Sequence, residues 1–393
     1  MASPVDTSVK HAYSSMAGAP AIGGTAGSLI GALDAFLVNG WGAKAVDSAV
    51  ISNGICRLNF ASGKSAAEAH AVILVTGATP SALNGEQKVT AVANGWVEFK
   101  TDLPDGAVTG SISFKMAALG WEKVFAATNK VVYRPLDPRG TRPFVRIDDS
   151  NALFARVTMF ESMTDIDAGT GVAPASVPGG YYWYKRSSDT SASYWVLAGD
   201  GRGFYIAISN NSGGGVPGTS NGYSCLTAYC GDLISARSGD AWCSVLTGAP
   251  SASASDLVGC PFQASAATGM SIQRGSTGLG GAIQTSRVVL GNSGYQSGAD
   301  PSLGAFPARA DNGLRLSPIL LLDGAGTTNG PRGELPGGYH CPQTQVLATF
   351  GADVRLSPGN GQFAGKQLLS FCVGNPATLN QGIAFVDAAG PWR

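Results

Sequence analysis

The chain has 393 residues, and its 26 Lys and Arg residues balance 26 Asp and Glu residues, so the formal net charge is zero. Charged residues make up only 13% of the chain, about half of the ~25% that is usual in globular domains. Without a basic excess, nucleic-acid recognition is not expected. So little charge is typical of a protein that buries much of its surface against neighbouring subunits.

Glycine and short apolar runs dominate the remaining composition. There are 55 glycines, yet 44% of the residues are hydrophobic, so the chain is too apolar to be disordered. Many short strands joined by long Gly- and Ser-rich loops explain both features. We therefore predict a mainly β protein with β-sandwich-like domains and one N-terminal helix.

Two compositional features bear on the cellular compartment. No apolar run reaches the ~18 residues of a membrane helix, and the N-terminal sequence lacks the basic and apolar segments of a signal peptide. An odd number of cysteines without a signal peptide favours free thiols in a reducing cytoplasm. The cysteines are Cys56, Cys225, Cys230, Cys243, Cys260, Cys341 and Cys372.

The first part of the chain, residues 1–45, is predicted to be an extended arm followed by a helix. The arm, residues 1–24, is rich in Ala, Ser, Gly and Pro. The helix, residues 25–39, has one apolar face built on Leu29, Leu33 and Leu37. We expect Thr25 to cap its N-terminus and Gly40 to end it.

Residues 46–134 are predicted to form a β-sandwich-like domain. Within residues 67–116, apolar side chains alternate with polar ones, and Asn-Gly and Asp-Gly pairs separate the runs. Such pairs between alternating runs are the strongest local signal for hairpins. The proline-rich segment 135–143 is expected to be a linker or a corner.

Residues 144–393 are predicted to form a second β-rich domain. Two alternating runs separated by Ser150-Asn151 indicate a hairpin. Residues 210–285 are expected to be mostly long loops, and the segment Gly390–Arg393 is expected to dock against the fold.

Aromatic residues are dense in this second domain, and two interpretations are open for them. They are either core residues or a surface that contacts a partner protein or a glycan, because Tyr and Trp suit both roles. The candidate contact residues are Tyr182, Trp183, Tyr184, Tyr194 and Trp195.

Two groups of residues are weak candidates for metal sites, and we predict neither a metal nor a cofactor. The cysteines at positions 225, 230, 243 and 260 lack the tight spacing of a zinc site, so buried thiols, late pairing and metal binding stay open. Asp165 and Asp167 resemble the start of a calcium loop but lack its later ligands, so a capped turn is the alternative.

The chain carries no recognisable catalytic motif, and we predict that it is not an enzyme. It has three histidines, His11, His70 and His340, and a hydrolytic triad would need His70 or His340 to meet a serine nucleophile. His70 is expected to lie in a strand. The pair Asp148-Asp149 is more typical of a hairpin end than of two carboxyls facing each other across a cleft.

Several segments resemble structural proteins of tailed bacteriophages. The run VTGATPSALNGEQKVTAV, followed by WVEFK and TGSISFK, is similar to a β unit found in phage tail proteins. Further segments that resemble phage virion proteins are residues 13–42, 119–134, 146–150, 160–171 and 332–342. These motifs are structural and bring no catalytic residue with them.

The resemblance implies a structural component of a phage tail, in the tube, nozzle, baseplate or collar region. Such a protein is made in the bacterial cytoplasm, is incorporated into the virion, and has as partners copies of itself in a ring and other tail proteins. The alternative is a host-receptor or glycan-binding module of a tail spike or fibre. The low charge and the abundance of short strands agree with a self-assembling subunit.

Overall fold

The structure is a computed structural model. It describes residues 3–61, 63–186, 188–209, 225–252, 261–262, 269–290, 300–326, 328–351, 354–374 and 381–393. The fold is mainly β, and antiparallel sheets contain nearly all of its strands, as the sequence predicts. Within these ranges, no helix has the length and apolar character needed to cross a membrane.

The N-terminal arm is part of the fold rather than a separate extension. It contains strands β1 (Lys10–Tyr13) and β2 (Ile22–Gly23), and both pair with a strand far along the chain. The helix follows as α1 (Ser28–Leu33), which continues directly into a π-helical segment, Asp34–Asn39. Its predicted leucine face is fully buried.

The helix ends at the predicted residue but begins later than predicted. Gly40 ends it with φ 68°, as expected. The helix begins later than predicted, because Gly27, with φ 80°, stands at the N-cap position and no side chain of its own segment caps it. Thr25 is therefore not the cap; instead Asp149 Oδ2 accepts the N–H of Leu29 at 2.9 Å.

An eight-stranded antiparallel sheet forms the first β unit, with strand order β3-β10-β6-β7-β8-β5-β4-β9. The strands are β3 (Trp41–Ala45), β4 (Ser48–Ser52), β5 (Ile55–Asn59), β6 (Val72–Thr76), β7 (Gly85–Ala93), β8 (Trp96–Lys100), β9 (Gly106–Val108) and β10 (Ser113–Met116). The long strand β7 has a register shift between Val89 and Ala91. Because a bulge bends a strand, β7 can serve both halves of a sandwich-like fold.

The turns of this unit follow the sequence signals closely. The pair Asn94-Gly95 forms the two-residue connection between β7 and β8, where Ala93 faces Trp96. A short 3₁₀ turn, Ser81–Leu83, precedes β7. His70 lies in a turn with φ 67°, so its predicted place in a strand is wrong.

A five-stranded sheet crosses the boundary that the sequence predicts at residues 135–143. Its order is β11 (Trp121–Ala127), β12 (Lys130–Pro135), β13 (Phe144–Asp148), β14 (Phe154–Phe160) and β17 (Tyr181–Tyr184). A small hairpin of β15 (Ser162–Met163) and β16 (Gly169–Thr170) follows β14. Since β12 pairs directly with β13, the proline-rich segment is a corner within one sheet rather than a linker between domains.

The remaining strands belong to a large sheet whose main path is β1-β18-β19-β20-β29-β30-β27-β26-β25. They are β18 (Ala192–Asp200), β19 (Gly203–Ser209), β20 (Cys225–Asp232), β21 (Ile234–Ser235), β22 (Ser244–Thr247), β23 (Met270–Ile272), β24 (Ile283–Gln284), β25 (Arg287–Val288), β26 (Ser317–Leu322), β27 (Pro331–His340), β28 (Arg355–Pro358), β29 (Gln367–Gly374) and β30 (Gln381–Asp387). A short helix α2 (Val346–Phe350) and a 3₁₀ turn, Gly361–Phe363, lie between β27 and β29.

Part of the segment predicted as long loops is in fact strand. Strands β20 to β24 lie within residues 210–285, whereas residues 210–224, 253–260 and 263–268 of the predicted loops lie outside the described residues. The segment Gly390–Arg393 docks as predicted, with Trp392 buried and its Nε1 donating to the carbonyl oxygen of Asp387 at 2.7 Å.

Two hydrophobic clusters lie on opposite faces of the large sheet. Along β19, Phe204 and Ile206 belong to one cluster, while Tyr205 and Ala207 belong to the other. The first cluster also contains residues of α1, of the eight-stranded sheet and of the five-stranded sheet. This continuous core joins the parts of the chain into one packed body.

Candidate contact surface

Strand β17 separates its four aromatic side chains onto two faces. Tyr181 and Trp183 point into the core and are 0% exposed, while Tyr182 is half-buried on the opposite face. This is the alternation that the pleat of a strand imposes. Trp183 Nε1 donates to the carbonyl oxygen of Thr247 at 2.8 Å, so its polar atom is also satisfied inside the protein.

Trp195 is likewise a core residue. It is 2% exposed, and its Nε1 donates to the carbonyl oxygen of Pro20 at 3.0 Å. Neither indole presents a surface that a glycan or a partner could touch. The predicted contact role therefore fails for Trp183 and Trp195, because β17 and β18 turn these side chains toward the core.

The side chains on the other face of β17 form a compact group with β14, which we call the aromatic patch: Phe154, Arg156, Tyr182 and Tyr184. The ring centroids of Phe154 and Tyr182 are 5.0 Å apart, and those of Tyr182 and Tyr184 are 6.3 Å apart. Tyr184 is nearly covered. Tyr182 is therefore the predicted contact residue that this face leaves most accessible.

Arg156 holds the patch in a fixed geometry. Its guanidinium carbon lies 3.9 Å from the centroid of the Tyr182 ring, and its Nη1 donates to Tyr182 Oη at 2.9 Å. The carbonyl oxygen of Gly180 accepts from its Nε and Nη2. Tyrosine and arginine are each enriched among the residues that dominate binding at protein interfaces, although here the guanidinium already covers one face of the Tyr182 ring.

The patch is also tied to the large sheet. The N–H of Tyr182 donates to the carbonyl oxygen of Ala249 at 2.9 Å, and the N–H of Ala249 donates back at 3.1 Å. Tyr194, the remaining predicted contact residue, lies at the start of β18 and is half-buried. Within the described part of the chain it has no ring contact with the patch.

The arm packs beside Trp195 and along the edge of the large sheet. In the register of β1 on β18, Ala12 faces Leu197. The N–H of Ser14 donates to the carbonyl oxygen of Trp195 at 3.0 Å, and the N–H of Trp195 donates to Ser14 Oγ over a sequence separation of 181 residues. The arm thus adds two short strands to the large sheet, whereas the helix and the strands that follow it in the chain belong to other parts of the fold.

Comparison with known proteins does not identify the chain. No protein-family model matches it, and no curated protein matches it either.

A buried histidine and a buried lysine, His11 and Lys88, lie where the arm meets the eight-stranded sheet. Both ring nitrogens of His11 lack a hydrogen-bond partner among the described residues. Burial, followed by the charge of Lys88, lowers the pKa of His11 from 6.5 to about 3. Lys88 Nζ donates to the carbonyl oxygen of Ala388 at 2.7 Å, and burial lowers its pKa to about 8.

The described cysteines do not form the metal site that the sequence left open. Cys230 and Cys243 are both buried, but Cys230 packs in the cluster on one face of the large sheet and Cys243 in the cluster on the other. Burial raises the pKa of Cys243 to about 12 and that of Cys230 further still. The Cys225 side chain and the whole of Cys260 lie outside the described residues.

Asp165 and Asp167 form a capped turn rather than an open set of ligands. Asp165 Oδ1 accepts the N–H groups of Asp167 and Ala168, both at 2.8 Å. The Asp167 carboxylate contacts Arg146 and Lys130. Its pKa is lowered, and the main cause is the hydrogen bonding from Arg146. Across the described ranges, no three His, Cys, Asp or Glu side chains are grouped to hold a metal ion.

The pair Asp148-Asp149 has a role that the sequence did not suggest. It stands at the end of β13, as expected, but the two carboxylates diverge. Asp148 contacts Arg146 at the surface, whereas Asp149 is fully buried against Lys185 and the start of α1. No local signal marks this, because the partners of Asp149 come from distant segments.

Proposed function

We propose that this protein is a structural, non-enzymatic component of a bacteriophage tail that assembles into an oligomeric ring through protein–protein contacts. Its partners are copies of itself and other tail proteins in the tube, nozzle, baseplate or collar region. It is made in the host cytoplasm and incorporated into the virion. The resemblance of its segments to phage virion proteins supports this assignment.

The attachment of the N-terminal arm is the observation that carries the proposal. Strand β1 pairs with the edge of β18, with Lys10 opposite Gly199 and Tyr13 opposite Val196, and Ala12 is buried there. An added strand of this kind can be supplied equally well by a neighbouring copy. The Gly-rich segment 23–27 lies between the arm and α1, and Gly27 has φ 80°. Exchange of the arm requires this segment to act as a hinge and to release the hydrogen bonds of Thr25 with Lys185 and of Gly27 with Asp149.

The rest of the molecule fits a ring subunit. The first hydrophobic cluster joins the helix and three sheets, so these parts of the chain can enter an assembly as one packed unit. The balance of 26 basic and 26 acidic residues leaves little net repulsion between copies.

Light scattering and electron microscopy of the purified full chain, alone and with neighbouring tail proteins, test the assembly. We expect closed rings that form as concentration rises or when a neighbouring tail protein is added. A species that stays monomeric under both conditions would contradict the proposal.

Arm exchange has its own test in the double variant Ala12→Cys/Leu197→Cys. These residues face each other in the β1–β18 register, and directly opposed Cα atoms in an antiparallel pair lie within disulfide range. After oxidation, arm exchange joins peptides from two chains and gives a ladder on a denaturing gel. A docked arm that stays within its own chain gives only an intramolecular link, and each single variant is the control.

A glycan-binding spike or fibre module is the second candidate, favoured only by the partly accessible Tyr182 beside Arg156. Tryptophan fluorescence is a poor probe for it, because Trp183 and Trp195 are buried. Calorimetric titration of host polysaccharide into the wild type and the Tyr182→Ala variant is decisive. Binding that disappears in the variant supports this candidate, and no heat with the wild type dismisses it.

A further inference from the structure

A second site lies away from the aromatic patch, in an open cavity of about 520 Å³. Four segments form its walls: the corner between β12 and β13, the turn between β18 and β19, the stretch that follows β20, and the C-terminal residue. Each contributes one arginine, and the four are Arg139, Arg202, Arg237 and Arg393. We call this the arginine cavity.

The two carboxylates that line the cavity are already used inside the protein. Asp232 Oδ2 accepts the N–H of Thr141 at 2.9 Å, and its Oδ1 accepts Ser244 Oγ at 2.9 Å. Asp240 accepts from Arg332 Nη2 at 2.9 Å through Oδ1 and from Ser235 Oγ at 2.7 Å through Oδ2. Both oxygens of each carboxylate thus have a donor.

Two further carboxylates stand behind the arginines and hold them in place. Asp137 accepts Arg139 Nη2 at 2.8 Å and Arg202 Nε at 3.2 Å, and hydrogen bonding from Arg139 is the main cause that keeps its pKa well below the usual range. Asp200 accepts Arg393 Nε at 2.8 Å. The guanidinium groups of Arg202 and Arg393 are therefore held in place, whereas that of Arg139 is paired with Asp137 but is 77% exposed.

Hydrogen-bond donors remain in excess at the cavity. Within the described residues, Arg139 Nη1 and both Nη atoms of Arg202 make no hydrogen bond. Arg237 is exposed and uses its Nη1 on the carbonyl oxygen of Ser276, which leaves its Nε and Nη2 free. All of these donors are cationic, so the complementary ligand is an anion with several acceptor oxygens.

We propose that the arginine cavity binds a small molecule that carries a carboxylate or phosphate group and has about the size of an acidic monosaccharide. Planar guanidinium groups match the oxygens of both anions in paired hydrogen bonds, and a group held in advance loses little freedom on binding. The volume lies within the range of roughly 300–1,000 Å³ usual for small-molecule sites. The site does not depend on the tail assignment.

Calorimetric titration of the full chain with glucuronate, inorganic phosphate and neutral glucose tests the proposal. We expect saturable one-to-one binding of at least one anion, weakened by added salt, and none of glucose. The anion that binds more tightly identifies the preferred group. No saturable binding of either anion at millimolar concentration, or equal binding of glucose, would overturn the proposal.

Variants assign the binding to the cavity. Arg202→Gln is expected to weaken anion binding by about tenfold or more, because it removes charge-assisted hydrogen bonds. Arg315→Gln, at an exposed arginine paired with Asp311, is the matched control and should bind like the wild type. If Arg202→Gln proves unfolded by circular dichroism, the exposed Arg237→Gln replaces it, and unchanged binding in a folded variant refutes the site.

Discussion

Lys185 Nζ lies 2.5 Å from Asp149 Oδ1, and both side chains are completely buried. The same carboxylate caps the start of α1 through Asp149 Oδ2, while Lys185 Nζ also donates to the carbonyl oxygen of Thr25 at 2.6 Å. Burial raises the pKa of Asp149 and lowers that of Lys185, and each partner's charge opposes the shift of the other. This pair therefore joins the segment before the helix, the helix itself and the end of the five-stranded sheet.

The first prediction concerns this pair. Lys185→Met should lower the free energy of unfolding by about 3–5 kcal/mol, because it leaves a buried carboxylate without a counter-charge. The double variant Lys185→Met/Asp149→Asn should regain part of that loss, since the amide oxygen can still cap α1. Urea denaturation of the single and double variants measures both effects.

An exposed pair is the control for this prediction. Arg315→Met breaks the Arg315–Asp311 contact at the surface, and such pairs contribute about 0–1 kcal/mol. A Lys185→Met variant as stable as Arg315→Met would contradict the structural role of the buried pair.

The second prediction concerns acid stability. The pKa of His11 is 6.5 in the unfolded chain and about 3 in the fold, so between these values the unfolded state binds one more proton. Stability should therefore fall as pH drops from 6.5, by about 1.4 kcal/mol per pH unit for this histidine. Burial, followed by the charge of Arg287, also lowers the pKa of His340, which adds a second proton to this difference.

Denaturation midpoints of the wild type and His11→Leu between pH 4.5 and 6.5 check this slope. In the variant, the slope of the unfolding free energy against pH should be smaller by the contribution of about one proton. Equal slopes in the two proteins would show that His11 is protonated in the fold, contrary to its unpartnered burial.

The third prediction concerns the two faces of β17. Trp183→Ala should cost about 3–5 kcal/mol, as is usual for truncating a large buried aromatic side chain. Tyr182→Ala, on the half-buried face, should cost clearly less. Urea denaturation of the two variants measures both losses. A larger loss for Tyr182→Ala than for Trp183→Ala would contradict the assignment of the Trp183 face to the core.

The fourth prediction concerns the close approach at one end of the eight-stranded sheet. A Cβ on Gly77 would lie 2.1 Å from the carbonyl oxygen of Ser111, whereas one on Gly120 would meet nothing within 4 Å. Both glycines have positive φ, a conformation that is unfavourable for alanine. Gly120→Ala should therefore lower the free energy of unfolding by about 1–2 kcal/mol through this backbone effect alone.

Gly77→Ala should cost more than Gly120→Ala, because the backbone near the Thr79–Thr109 bridge must also move apart. Thermal unfolding of both variants measures the difference. Equal losses of stability in the two variants would mean that Gly77 and Ser111 are not in close contact at this end of the sheet.

The fifth prediction concerns thiol reactivity. Burial raises the pKa of Cys56 and of Cys243 to about 12, and only the thiolate reacts readily. Iodoacetamide at pH 8 should leave both unlabelled in the native protein and label them in urea, as mass spectrometry of their peptides will show. Fast native labelling would indicate that these segments open readily.

The sequence by itself determined the local part of this structure. The alternation within residues 67–116, the Asn94-Gly95 turn, the hairpin around Ser150-Asn151 and the end of the helix at Gly40 all depend on neighbouring residues. For that reason the mainly β class and the individual hairpins could be predicted from patterns a few residues long.

Only the tertiary structure decided which strands meet and which face of each is buried. Period two places Tyr182 and Trp183 on opposite faces, yet it does not say which face meets the core. The pairing of β1 with β18, the joining of β12 to β13 and the capping of α1 by Asp149 bring together segments that no local pattern relates. Such contacts depend on how distant strands pack and satisfy one another's buried polar groups, which is a property of the whole fold.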